Sequence, residues 1–127
     1  MKKIALLLAL AMILAVAVVY SQEPQKVVDN SMLGRRIKIV LNRISDDVLG
    51  CYQNELNANP ELNGSVKLKV TIDVNGGAGA IEIIEDSLHN KSLNTCIIKI
   101  FAERTWPQND EPVYFEYTYN FMPAAKE

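Results

Sequence analysis

The sequence predicts an α+β domain: a two-layer sandwich with two helices on one face of a three-stranded antiparallel sheet, in the order α-β-β-α-β. Three observations predict it. Apolar residues recur at spacings of three and four over 37–56 and again over 93–104. They alternate with polar residues over 66–74, 80–85 and 113–121. One cysteine, Cys51 or Cys96, sits on each helical stripe. Three strands offer one apolar face and two helices need a surface for theirs, so one sandwich serves both. In it the two cysteines meet where the helices touch.

The N-terminus is set aside before the fold is read. Lys2 and Lys3 precede an uncharged run over residues 4–20, which reads as an export signal over residues 1–21. Ala15-Val16-Ala17 and Val19-Tyr20-Ser21 both offer a cleavage site, and the second leaves a chain starting at Gln22. The run is short for a spanning helix, which needs about 20 apolar residues. Left uncleaved it would be an inner-membrane anchor with its N-terminus cytoplasmic. On either reading the remainder lies outside the cytoplasm, periplasmic or secreted.

Residues 22–31 read as a polar, flexible leader. Asn30 or Ser31 caps a helix beginning near Met32. Ile37, Val40, Leu41, Ile44, Val48, Cys51, Tyr52 and Leu56 form its inner stripe. Gly34 and Gly50 predict a bend or break, and Asn59-Pro60 stops the helix. Glu61 to Gly64 is a turn. Val66, Leu68, Val70, Ile72 and Val74 face inward from the first strand, with Lys67, Lys69, Thr71 and Asp73 outward. Asn75-Gly76-Gly77 is a hairpin signal, Gly79 adds a bulge, and Ile81 and Ile83 share the inner face of the return strand. Leu93, Cys96, Ile97, Ile100, Phe101 and Arg104 mark the inner side of the second helix, closed by Trp106-Pro107. In the last strand Phe115, Tyr117, Tyr119 and Phe121 face the core. Tyr114, Glu116, Thr118 and Asn120 face out. The domain spans 32–122, with a tail over 123–127.

All fifteen acidic residues follow residue 21, so the exported chain is more acidic than the full-length charge of −2. That excludes a basic nucleic-acid footprint. Two cysteines in an exported chain form a natural bridge, closing a loop of about 45 residues that stabilises by about 4 kcal/mol. Two free buried thiols are the alternative. A redox pair lacks the C-x-x-C spacing and an activating histidine. A metal site lacks ligands, His89 being the sole histidine. Glu82, Glu85 and Asp86 are carboxylates with no nucleophile or base placed among them, so no catalytic set, cofactor or metal is expected.

Several of these residues carry a resemblance. They are Cys51-Tyr52, Leu56, Asn59-Pro60-Glu61-Leu62 and Gly64, the strand Val66-Lys67-Leu68-Lys69-Val70-Thr71-Ile72, and Gly76-Gly77. Leu93-Asn94-Thr95-Cys96-Ile97 and Trp106-Pro107 complete the set. Over roughly residues 36–122 the chain resembles the TonB C-terminal-like domains, and most closely the disulfide-bearing AgmX/PglI C-terminal group. The resemblance implies a non-catalytic protein-interaction module of a Gram-negative cell envelope, in a motility- or transport-related setting. It points to the last strand as the edge that adds a partner's extended peptide, with Tyr114, Glu116, Thr118 and Asn120 as the candidate binding residues. The expected partner is an envelope protein or an extended peptide, with a homodimer as a further option. A long periplasm-spanning linker, as an energy transducer needs, is not seen. The alternative function is a secreted small ligand-binding or inhibitor domain.

Overall fold

Ser31 starts the first helix. In the computed structural model, which describes residues 23–124, its hydroxyl accepts from the Gly34 N–H at 3.0 Å and donates to the Val28 carbonyl at 2.6 Å. This satisfies one of the N–H groups that a helix start leaves unpaired. Helix α1 then runs over Met32–Ala58 without the expected break. Gly34 is buried because the preceding turn crosses it closely: a Cβ there would lie 2.5 Å from the Val28 carbonyl oxygen and 2.6 Å from that of Asp29. Gly50 sits beside open space, and the buried stripe on either side carries the helix through it.

The chain folds in the order β1 (Gln25–Lys26), α1, β2 (Gly64–Ile72), β3 (Ala78–Asp86), α2 (Lys91–Glu103) and β4 (Val113–Phe121). The sheet order is β1-β4-β2-β3. The three expected strands are antiparallel, with Leu68 opposite Tyr117 on one side and Ile83 on the other. The fourth strand corrects the sequence reading, because β1 joins the sheet parallel to β4. The stretch read as a flexible leader is thus tied down. Two residues are too few to show periodicity, and what fixes them is tertiary: the Val27 N–H donates to the Tyr114 carbonyl at 2.9 Å and the Val27 side chain is buried. The expected signal lies outside the described residues, as does most of the tail. No helix among the described residues is long and apolar enough to cross a membrane.

Both helices lie on one face of the sheet. Ile44, Val48, Val66, Leu68, Val70, Leu93, Ile97 and Phe101 are wholly buried between the layers. Three residues depart from the expected core. Val74 lies past the end of β2, in the turn, and is exposed. Arg104 caps α2 with its side chain exposed, 3.6 Å from Asp47 on α1. Tyr117 keeps 37% of its surface exposed, because its ring lines the open clefts between α1 and β4.

The motif residues have structural duties. Cys51 and Cys96 stand at disulfide distance, with Cα atoms 6.0 Å apart, and join α1 to α2. The Tyr52 hydroxyl donates to the Leu62 carbonyl, pinning the Asn59-Pro60 turn, and its ring meets Phe121 edge-on at 4.8 Å. Burial pushes that hydroxyl's pKa up. Trp106 stacks on Phe101 at 5.5 Å, and its indole N–H donates to the Phe101 carbonyl at 3.1 Å. Its backbone N–H donates to Gly76 at 2.8 Å, stapling the end of α2 to the β2–β3 hairpin.

Candidate functional site

A sheet has two edges, and here they are built differently. Along β3 the pairing with β2 slips twice, once between Lys67 and Leu68 and once between Val70 and Ile72. The second slip is the bulge that Gly79 suggested, and the first leaves Ile84 out of register and exposed. Bulges and exposed carboxylates such as Glu82 and Glu85 blunt an edge against further pairing. β4 runs without a slip from Gly64↔Phe121 to Ile72↔Val113, and β1 covers it only at Val113 and Tyr114.

The direction of the main chain along β4 follows from alternation. Tyr114 turns its carbonyl to β1, and Ser65 turns its carbonyl away from β4 to meet the Ser87 N–H at 3.0 Å. Main-chain groups of successive residues point to opposite sides of a strand. The N–H and C=O groups of Glu116, Thr118 and Asn120 therefore point out of the sheet, beyond the end of β1.

The four expected binding residues separate accordingly. Thr118 and Asn120 are exposed on the open edge. Glu116 is on it too, but its carboxylate is held by Lys67 at 3.5 Å and Lys26 at 3.8 Å. Tyr114 is not, since β1 lies alongside it with Lys26 in register. Its ring instead carries the Lys69 ammonium 4.5 Å from its centroid, a cation–π contact.

Sequence reasoning missed the wall beside this edge. One flank of α1 follows β4: Ile37, Lys38 and Leu41 lie against Phe115 and Tyr117. Ser45, Asp46 and Leu49 lie against the stretch from Tyr117 to Phe121. The signal was Leu49, an apolar residue off the inner stripe of α1, which remains 49% exposed. The aromatic row on β4 forms the floor, with Tyr117 and Tyr119 edge to face at 4.9 Å and Tyr119 stacked on Phe121 at 5.8 Å. Burial, followed by the neighbouring Tyr117, pushes the Tyr119 hydroxyl far up in pKa, so it stays a neutral part of the floor.

The carboxylates of β3 have ordinary positions. Asp86 accepts from the Leu88 and His89 N–H groups at 3.0 Å and from the Asn94 amide at 2.8 Å, closing the loop into α2. Glu82 and Glu85 stand opposite Lys69 and Lys67. His89 is exposed, with a φ of 52°. No group of three histidine, cysteine or acidic residues among the described ones could hold a metal.

No family model and no curated protein matches the chain. Among solved structures the chain is similar to the NMR solution structure of Helicobacter pylori TonB-CTD (residues 179-285). The identity is 14%, the TM-score 0.47, and the match covers 67% of this chain and 85% of that one. The architecture described above rests on the chain's own geometry.

Proposed function

We propose that this chain is a non-catalytic protein-docking module of a bacterial cell envelope, which captures an extended segment of an envelope partner by adding it as a strand beside β4. One observation carries the reading. β4 is regular over its whole length, yet among the described residues its outer edge is covered only at Val113 and Tyr114, leaving outward main-chain groups beside a partly apolar groove. Strand addition uses such an edge: main-chain hydrogen bonds supply affinity, and side-chain clefts supply selectivity. The blunted β3 edge directs the partner to β4.

A periplasmic setting is supported by the export signal read at residues 1–21 and by the cysteine pair at disulfide distance, a combination suited to an oxidising compartment. The motif resemblance adds a motility- or transport-related assembly as the context. In-cell photo-crosslinking from Thr118, followed by mass spectrometry of the adducts, tests the reading. A dominant envelope protein among the adducts supports it. Adducts that are absent, or formed only with the chain itself, retire strand addition to a partner.

A further inference from the structure

The groove beside β4 has a shape and a charge that describe its occupant. Helix α1 and strand β4 keep pace along it: residues 37–49 of the helix at 1.5 Å per residue and residues 115–121 of the strand at 3.3 Å both span about 20 Å. The groove is thus about seven strand residues long. Tyr117 lines both halves and divides them. The first cleft, of about 170 Å³, is walled by Ile37, Leu41 and Phe115, with the opposite charges of Asp29 and Lys38 also in its lining. The second, wider at about 420 Å³, is bounded by Leu49, Tyr117 and the carboxylate of Asp46. Asp46 is exposed and forms no ion pair among the described residues, whereas its neighbour Asp47 faces Arg104.

Resting on the docking reading above, we infer that the captured segment carries an aliphatic residue and, four residues away, a lysine or arginine. An added strand sends alternate side chains into the groove. An aliphatic side chain fills the first cleft, and a small residue passes the Tyr117 ring. The basic residue lays its methylene stem along Leu49 and Tyr117 and brings its charge to Asp46. The chain's acidic residues outnumber its basic ones, 15 to 13, so its wider field also favours a basic segment.

The test is an amide NMR titration of the purified, oxidised chain with two capped heptapeptides. One is Thr-Val-Thr-Ala-Thr-Lys-Thr, and the other replaces its lysine with glutamate. The lysine peptide is expected to shift the amides of Glu116, Thr118 and Asn120. It should bind about five- to tenfold more tightly than the glutamate peptide, the scale set by exchanging an exposed attraction for a repulsion. Asp46→Lys, at an exposed position, should keep its melting temperature and reverse the preference. Equal binding of both peptides at β4 overturns the charge assignment and leaves docking standing. If neither peptide moves those amides while crosslinking from Thr118 still yields a partner, the inferred chemistry is wrong and the docking reading survives. If both fail, the docking reading falls with it. Shifts at β4 that depend on protein concentration alone assign the edge to a second copy and overturn the proposal.

Discussion

At the residue scale, single groups fix the turns that hold the sheet to the helices. Gly76 turns the β2–β3 hairpin at a φ of 89°, and a Cβ there would collide with the Trp106 carbonyl oxygen. Both the left-handed backbone and the close approach need glycine. Gly76→Ala should therefore destabilise the domain by about 2 kcal/mol or more, read as a lower denaturation midpoint. An unchanged midpoint would mean the hairpin and Trp106 are not coupled. Asp86 fixes the other turn. Burial pushes its carboxyl pKa up, but the Asn94 amide, the His89 and Leu88 N–H groups and the nearby His89 charge outweigh this. They hold it below the ordinary 3.8. A carboxyl depressed in the folded state stabilises above its unfolded pKa, and that contribution is lost as pH falls through the folded value. The stability of the wild-type chain should thus fall below about pH 4. Asp86→Ala should flatten that acid limb, and parallel limbs in denaturation curves between pH 2 and 6 would remove Asp86 from it.

At the element scale, the decisive contact is between the helices. Each buries its own stripe against the sheet, and the cysteine pair joins them across 45 residues of sequence. Loop closure of that length predicts that Cys51→Ala lowers stability by about 2–4 kcal/mol under oxidising conditions. The loss should vanish when wild type and variant are compared in excess reductant. A midpoint unchanged in oxidising buffer would show that no bridge forms. The same contact explains Arg104: it continues the α2 stripe in sequence, yet it lies beyond the sheet and its charge meets Asp47 rather than the core. Helical periodicity shows which side of a helix is apolar, but not where its cover stops.

At the scale of the whole molecule, the sheet of the described residues has one blunted edge and one largely open one, and the open edge offers a clean perturbation. The N–H groups of Thr118 and Asn120 point away from β2, so proline at these positions removes outward donors without breaking the ladder. The double variant Thr118→Pro/Asn120→Pro should keep its cooperative melt and lose partner capture in the crosslinking assay, with the photo-label moved to Leu49. Tyr119→Pro, which breaks a bond to β2, should instead unfold the domain. Undiminished capture by the double variant would show that the partner binds elsewhere.

Local patterns in the sequence determined the element types, the apolar faces, the hairpin at Gly76, the bulge at Gly79 and the pairing of Cys51 with Cys96 as candidates for one bridge. Each depends on side chains repeating over a turn or a pleat, or on a residue whose backbone freedom is special. Only the tertiary structure decided the rest. It added β1 to the sheet, paired Tyr114 with that strand, exposed Tyr117 and laid the Leu49 flank of α1 beside the open edge. Which edge is open, and what stands next to it, depends on contacts between residues far apart in the chain, and no local pattern records those.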